Sequence, residues 1–411
     1  MRLGVRLVMI CLCLGELLRA QEFKVGDRTV QVHAFASQGF IYTSANQWLT
    51  MNSSAGSFAF TDFGVNASTQ VSDRFRVGAQ FYDHNIGNLG EWHPALDWAF
   101  ADYRLRPWFG VRGGKVKTVI GLYNDTQDYE FLTPFALLPQ SVYPLDMHDA
   151  NIAHEGGDLY GDVSVSRHSG TFSYVVYGGA RRDNLFGGYP YALRKTVAPV
   201  NLTSNGGYQY GADLRWQTPI PNLLCGVSRM NQHDEGKGTF VPFWNPKAGT
   251  IPYWEHTNTY WLNQFYGEYA KQGLRVDAEY RRTFISVVDF NGTSSGHVDV
   301  RAWYVSGSYR VAKRLEFGSY YSRYTLRTLY GGILGLAFPP RSNTNLPENH
   351  IYDKVLSARI DVNRYWNLKL EGHFMEGYGD GPYPDGFYPG DNPLGFKPKT
   401  NALVVRTGVS F

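Results

Sequence analysis

The stretch ALVVRTGVSF, residues 402–411, decides the fold of this protein because its side chains alternate cleanly along the chain. One set is apolar or carries a methyl group: Leu403, Val405, Thr407, Val409 and Phe411. The other set is mostly small or charged: Ala402, Val404, Arg406, Gly408 and Ser410. A period of two residues predicts a β-strand whose two faces meet different surroundings. Because a strand at a chain end frays unless a neighbour pairs with it, the sequence must also supply a partner strand.

The same alternation recurs in residues 75–84, 208–217, 274–282 and 367–375. In the third of these stretches one face carries Leu274, Val276, Ala278 and Tyr280, and the other carries Arg275, Asp277, Glu279 and Arg281. No comparable stretch shows the helical period of 3.6 residues. The fold class predicted by this pattern is all-β.

The connections between these stretches alternate in length. Short turns fall at 68–74, 105–108, 166–170, 218–222, 271–273, 311–314 and 363–366. Long segments rich in Gly, Asn, Asp and Pro fall at 43–57, 85–94, 121–156, 183–206, 231–256, 284–297, 326–350 and 377–400. Seven short and eight long connections separate about sixteen strands, and short turns at one rim with long loops at the other are typical of an outer-membrane barrel.

Barrel closure explains the carboxyl-terminal strand. We expect it to pair with the first strand, around residues 30–40, because lipid offers no hydrogen bonds to an open sheet edge. Its apolar face then meets lipid and its polar face meets the lumen. Phe411, preceded by alternating apolar residues, resembles the carboxyl-terminal assembly signal of outer-membrane barrels.

The amino-terminal residues 1–20 are typical of a secretory signal peptide. Arg2 and Arg6 precede an apolar run that is too short to span a bilayer as a helix, and Ala20 offers a cleavage site. We therefore expect residues 21–411 to form a single barrel domain in the outer membrane of a Gram-negative bacterium. Without residues 1–20 the chain keeps 36 basic and 35 acidic side chains, a balance that gives no electrostatic case for nucleic acid. Cys225 is then the one remaining cysteine, so an intramolecular disulfide is excluded.

The longest connection follows the fifth strand, in the stretch WFGVRGGKVKTVIGLYNDTQDYEFLTPFALLPQSVY, residues 108–143. Gly114, Lys115, Lys117 and Gly121 fit an outline in which a strand of the form Gly-x-x-Lys-x-x-x-Gly leads into a long third loop. In this outline the chain resembles the phosphate-selective porins of the O/P type and related sixteen-stranded porins. The resemblance implies a barrel with channel activity and a third loop folded into the lumen. It does not imply a phosphate substrate, because the sequence shows no ladder of lumenal lysines or arginines.

Charged residues in and before this loop are candidates for a pore constriction. The acidic candidates are Asp125, Asp128, Glu130, Asp146 and Asp149, and the basic candidates are Arg112, Lys115 and Lys117. Acidic groups opposite basic wall residues set a field across a pore and tune ion choice. The apolar stretch FLTPFALLPQSVY, residues 131–143, predicts packing on the inner wall or at a subunit contact rather than exposure to water. The alternative is a solvated surface loop.

A second set of charges is expected on the pore wall: Arg76, Arg275, Asp277, Glu279 and Arg281. The alternation places the last four on one face. They fit either a lumenal field or a cross-strand network of salt bridges that stiffens the wall.

These observations predict a porin that lets small hydrophilic solutes or ions diffuse passively, without a cofactor or a metal, and that forms a homotrimer in lipid. Two alternatives stay open. One is a barrel enzyme such as a protease or lipase, for which His148, Asp149, His154 and Glu155 offer acid–base or metal-binding groups at a spacing that fits no zinc signature. The other is a secreted β-sandwich that acts as an adhesin or binding module.

Overall fold

The protein is described by a computed structural model that covers residues 21–166, 168–195, 199–242, 244–245, 247, 249–289, 294–333, 336–338, 343–379 and 386–411. The predicted signal peptide lies outside these residues. The strands are β1 (Gln21–Val25), β2 (Arg28–Thr43), β3 (Ser57–Ser72), β4 (Phe75–Ile86), β5 (Ala95–Arg106), β6 (Phe109–Lys117), β7 (Ala153–Ser166), β8 (Gly170–Arg182), β9 (Val200–Gln217), β10 (Leu223–Phe240), β11 (Ile251–Lys271), β12 (Leu274–Asp289), β13 (Ser294–Ala312), β14 (Leu315–Ile333), β15 (Leu336–Phe338), β16 (His350–Asp361), β17 (Trp366–Gly377) and β18 (Lys399–Ser410).

Helices in the described residues are short. Two are α-helices, His148–Asn151 and Gly188–Arg194. The others are 3₁₀ turns at Ser53–Ala55, Asn124–Thr126, Glu130–Leu132, Leu145–Met147, Pro347–Asn349 and Pro389–Asp391. Within the described part of the chain, no helix is long and apolar enough to cross a membrane.

Sixteen strands form one closed antiparallel barrel, which confirms the predicted fold class. Each of these strands pairs with the next along the chain, except that β14 pairs with β16 across the short strand β15, which folds back onto β14. Strand β18 closes the ring on β2, from Ala402 opposite Thr43 to Ser410 opposite Phe35. The backbone N–H and C=O of Phe411 add two further hydrogen bonds of 3.0 Å with Ala34. The predicted partner of the terminal strand is therefore correct.

Strand β1 covers the part of the β2 edge that β18 does not reach. Gln21–Val25 pairs antiparallel with residues 28–32, directly beyond the last contact of β18. Both edges of β2 are thus occupied along most of its length, because β3 pairs on its other side.

Seven short turns lie at one rim, and seven of the eight connections at the other rim are longer, as predicted. The exception is residues 290–293, which are only four residues because β12 and β13 extend into the predicted loop 284–297. Several predicted loops are shorter than expected, because β9, β10, β11, β13 and β14 run for 18 to 21 residues rather than about ten. Residues 231–240 and 251–256, for example, pair as a hairpin in which Lys237 lies opposite Trp254. Their glycines and polar side chains are typical of loops, and only cross-strand pairing makes them a strand.

Burial follows the predicted alternation on the strands. Asp277 and Glu279 are each 3% exposed, whereas Val276 and Tyr280, which flank them in sequence, are 38% exposed. On β18, Val404 and Arg406 are buried and Leu403 is 42% exposed. The inner faces of β13 and β14 depart from the simple pattern because they are apolar: Val298, Val300, Ala302, Tyr304, Tyr324 and Leu326 are buried.

Candidate functional site

The third long loop, residues 118–152 between β6 and β7, is the centre of the candidate site. Gly121 begins its course at a positive φ of 63°. A Cβ on Gly121 would lie 2.0 Å from Gln264 Nε2 and 2.4 Å from Glu279 Oε2, both on the wall strands β11 and β12. Only glycine lets the backbone approach this wall so closely and adopt this conformation.

Two tyrosines fasten the loop to the same wall. The Tyr143 hydroxyl donates to Glu279 Oε1 at 2.6 Å, and the Tyr123 hydroxyl donates to Asp277 Oδ2 at 2.5 Å. The Leu122 amide also donates to Glu279 Oε2 at 3.2 Å. Asp277 and Glu279 therefore bind the loop.

The loop reaches other strands through a buried ion pair. Glu130 lies 2.7 Å from Lys369 Nζ on β17, and both side chains are 3% exposed or less. The Asn367 amide donates to Glu130 Oε1 at 2.9 Å. Gly408 on β18 leaves the space that Glu130 occupies, because a Cβ there would lie 1.9 Å from Glu130 Oε1.

Further hydrogen bonds join the apolar stretch of the loop to β16, β17 and β18. Glu371 accepts from the amides of Ala136 and Leu137 at 2.8 and 3.2 Å. Arg406 donates to the Ala136 carbonyl at 2.9 Å, and Arg359 donates to the Phe131 carbonyl at 2.6 Å. The loop is thus bonded to inward-facing side chains of β12 on one side and β16–β18 on the other.

Apolar packing accompanies these hydrogen bonds. Ala136, Leu137, Val142 and Tyr143 join a buried cluster with the apolar inner faces of β13 and β14. Residues of the first and last long loops belong to the same cluster, among them Trp48, Leu49, Phe387 and Tyr388. Four residues of the stretch FLTPFALLPQSVY therefore pack against buried side chains of β13 and β14 rather than facing water.

Asp128 is the most enclosed of the predicted constriction carboxylates. It bonds to Lys117 Nζ and to His148 Nε2, and the Gln80 amide donates to it at 3.3 Å. Burial opposes ionisation, but Lys117 and His148 outweigh it and hold the pKa of Asp128 below its usual range. Burial likewise lowers the pKa of His148, but Asp128 and Asp149 raise it to about 10. The charged forms of Asp128 and His148 therefore favour each other, and their charges offset one another within the cluster.

Asp146 and Asp149 hold neighbouring loops. Asp146 Oδ2 accepts from the Gly386 amide at 3.0 Å and from the Tyr388 hydroxyl at 2.7 Å in the last long loop. Burial dominates there and raises the pKa of Asp146 to about 6. Asp149 accepts from the Asn184 amide at 2.7 Å and lies 3.8 Å from His84.

The other predicted residues are more scattered. Arg275 pairs with Glu268 and, at 3.2 Å, with Asp277, which fits the predicted salt-bridge network. Arg112 lies 3.6 Å from Asp158, and Arg76 donates to Ser68 at 3.1 Å. Lys115 donates to the Leu96 carbonyl at 2.6 Å. Asp125 comes no closer than 3.9 Å to Arg215. The loop does not bring these last four residues together with Asp128.

A cavity of about 110 Å³ lies between the third loop and strands β8 to β14. We call it the lumenal chamber. Its polar lining includes Arg181, Asp183, Asp234, Glu255 and Arg281, and its apolar lining includes Met147, Ile285, Val300 and Tyr324. Arg181 bridges Asp183 and, at 2.9 Å, Asp234.

Several polar atoms of the chamber lining have no hydrogen-bond partner in the protein. Ser141 Oγ, Arg181 Nε, Gln232 Oε1 and Asp234 Oδ1 are buried and unpaired. Buried polar groups are normally satisfied by protein, water or ligand. The chamber is therefore able to hold water or a small hydrophilic solute.

The sequence analysis missed the residues of β8 to β11 that line the chamber and the anchors Arg359, Lys369, Glu371 and Arg406. Alternation does place Lys369, Glu371 and Arg406 on the polar face of their strands. It could not show that one loop joins them, because the contacts span more than 200 positions in sequence.

Neither a protein-family model nor a curated protein sequence matches this chain. Solved structures do. The trimer form of OmpT, an outer membrane protein of Vibrio cholerae, is 11% identical with a TM-score of 0.54 over 94% of this chain and 100% of that chain. The outer membrane channel DcaP of Acinetobacter baumannii is 10% identical with a TM-score of 0.54 over 96% and 100%. An anion-selective porin from Comamonas acidovorans is 10% identical with a TM-score of 0.52 over 94% and 100%.

This chain has a porin-like barrel fold. Identities this low show the fold alone. Among the described residues, no group of three or more His, Cys, Asp or Glu side chains is placed to hold a metal ion.

Proposed function

We propose that this protein is an outer-membrane porin through which small hydrophilic solutes or ions diffuse passively. The observation that carries the proposal is the lumenal chamber: a closed barrel encloses a cavity with charged walls and unpaired polar atoms. A solute that passes there exchanges hydrogen bonds with water for hydrogen bonds with the wall. The proposal includes export by the signal peptide 1–20, an outer-membrane location and a homotrimer, and the porins of similar fold support it.

The charges of the chamber lining bear on the selectivity of the channel. A phosphate-selective channel needs a run of cations, whereas the chamber lining contains two arginines and three carboxylates. We therefore propose a channel with a mild preference for cations or dipolar solutes, in which the third loop, with Asp128, Glu130 and their partners, forms the constriction.

Conductance in planar bilayers tests the function. The purified trimer should produce stepwise increases in current in a simple salt solution. Asp234→Asn should shift the reversal potential in a salt gradient toward anions, because it removes a lumenal negative charge. An inserted, folded barrel that carries no current would overturn the proposal.

The constriction is tested separately. Lys369→Met leaves Glu130 buried without its cation, a change that costs about 3–5 kcal/mol in buried pairs. We expect the loop to loosen and single-channel conductance to rise and fluctuate. The matched double variant Glu130→Gln/Lys369→Met removes both charges and should restore most of the wild-type behaviour. Unchanged conductance in both variants would show that the loop does not limit the pore.

A further inference from the structure

The outer face of β10 to β14 carries a row of polar side chains that crosses these five strands at paired positions. Cross-strand pairing sets the row: Arg229 lies opposite Asn263, Asn263 opposite Arg282, Arg282 opposite Arg301, and Arg301 opposite Thr325. The neighbours in sequence are inward-facing and buried, namely Met230, Leu262, Arg281, Ala302 and Tyr324. Because side chains alternate between faces, the row points outward. We call it the arginine row.

Two further outward-facing rows flank the arginine row, one on each side, and most of their residues are apolar or aromatic. The next outward row toward the short turns is Val227, Phe265, Tyr280 and Trp303, and it ends on Arg323. The next outward row toward the long loops is Asn231, Trp261, Phe284 and Asp299, and it ends on Arg327. Five arginines thus face outward around one acidic side chain, Asp299, within these three rows.

The position of Arg282 along β12 places it in the half of the barrel nearer the long loops. Arg282 is the ninth residue of β12, and eight steps of about 3.3 Å along a strand tilted by about 40° rise roughly 20 Å. The apolar band of an outer-membrane barrel is about 25 Å tall. An arginine destabilises a barrel strongly at the middle of that band and little at its edge. Counted from Leu274 at the short-turn end, Arg282 therefore lies closer to the far edge of such a band than to its middle.

The guanidinium groups are held in place and keep donors free. Arg282 makes two hydrogen bonds with Asp299, of 2.9 and 3.1 Å, and Arg301 lies 3.3 Å from the same carboxylate. Arg229 and Arg282 lie over the Trp261 ring, 5.1 and 5.4 Å from its centroid. The side chains of Arg282 and Arg301 stay 42% and 39% exposed, so their guanidinium groups are accessible from outside the barrel. Arginines ordered in this way lose little entropy when they bind an anion.

We propose that the arginine row, with Arg323 and Arg327, binds the phosphate groups of lipids in the outer leaflet. Guanidinium forks match phosphate oxygens in charge and geometry. Five cations against one carboxylate favour an anionic headgroup over a second copy of this chain. The inference rests on the proposed function, because it requires a barrel that sits in a membrane.

Binding of a phosphorylated lipid to the detergent-solubilised full chain tests the proposal. The probe is bisphosphorylated lipid A, with its dephosphorylated form as the comparison, and the readouts are native mass spectrometry and tryptophan fluorescence. The test variant is Arg282→Gln/Arg301→Gln/Asp299→Asn, which removes the charges without leaving Asp299 unpaired. We expect binding of the phosphorylated probe to weaken about tenfold or more, because the variant removes charge-assisted hydrogen bonds to the phosphate oxygens.

The matched control is Arg104→Gln/Asp162→Asn, an exposed pair 2.6 Å apart near the opposite rim. It should bind the probe as the wild type does. Equal binding by test variant and wild type, or equal binding of both lipid forms by the wild type, would overturn the proposal. Loss of the trimer with unchanged lipid binding would instead assign the row to a subunit contact and also overturn it. Bilayer conductance of the test variant should stay at the wild-type level, so failure of lipid binding is distinguishable from failure of the channel.

Discussion

Gly408 shows at the scale of one residue why the terminal strand carries a small side chain on its inner face. Sequence alternation alone explains a lumenal position there. The structure adds a specific reason, since the Glu130 carboxylate of the third loop occupies the space where a Cβ would stand. Arg406 on the same strand donates a hydrogen bond to the Ala136 carbonyl of the loop. One face of ALVVRTGVSF therefore receives the loop.

Gly408→Ala should displace Glu130 from Lys369 and lower the thermal stability of the folded barrel, because overpacking a closed site costs about 1–3 kcal/mol. Gly372→Ala on the adjacent strand is the control. Its Cβ would meet nothing closer than Phe374 at 3.8 Å, so stability should change little. Equal melting temperatures for the two variants would mean that Glu130 does not sit against β18.

At the scale of the element, β18 and β2 close the ring through their pairing and through the last residue. Deleting Phe411 should lower the amount of folded, heat-modifiable protein in outer membranes, since it removes two backbone hydrogen bonds with Ala34 and the predicted assembly signal. Phe411→Ala separates the two effects because it keeps the backbone. A deletion that leaves yield and gel mobility unchanged would remove the role assigned to Phe411.

The outer face of β12 is expected to contact the hydrocarbon of the membrane. Ala278→Arg should destabilise the barrel in lipid by about 2–4 kcal/mol, because Ala278 lies on the exposed face between Val276 and Tyr280. Ala278→Leu at the same site should be tolerated. Urea unfolding of the two variants in lipid vesicles measures the difference. If the arginine variant were as stable as the leucine variant, this face would not meet hydrocarbon.

At the scale of the whole molecule, the barrel interior depends on contacts between loops that are far apart in sequence. Asp146 joins the third loop to Gly386 and Tyr388 of the last loop, across about 240 positions. Its pKa of about 6 lies above the ordinary value of 3.8 because the carboxyl is buried. The protonated form is therefore the one that the folded protein favours.

The raised pKa of Asp146 makes the stability of the folded protein depend on pH. The stabilising contribution of Asp146 is fully present below pH 4 and is lost as the pH rises through about 6, with a total of about 3 kcal/mol. Asp146→Asn removes the titrating carboxyl and with it this pH-dependent contribution to stability. Thermal unfolding at pH 4.5 and 7.5 should therefore show a variant that gains stability relative to the wild type at the higher pH. A difference between variant and wild type that does not depend on pH would contradict a buried, titrating carboxyl.

Local sequence determined the strands, their facing and the closed ring. A period of two on β12 and β18 reports which side is apolar, and turn residues between the strands report the connection lengths. These features depend on residues a few positions apart, so they can be read before any tertiary contact is known. The extensions of β9, β10 and β13 could not be read in this way, because their glycine-containing ends become strand only through pairing.

The tertiary structure alone decided how the charged residues are used. The sequence places Asp128, Glu130 and Lys117 in or beside the third loop, but their partners His148, Lys369 and Asn367 follow from how that loop folds. The lumenal chamber combines Arg181, Asp234 and Arg281 from three strands, and the arginine row combines Arg229, Arg282 and Arg301 from three strands. Cross-strand register sets these groupings, and register depends on the pairing of whole strands rather than on the residues themselves.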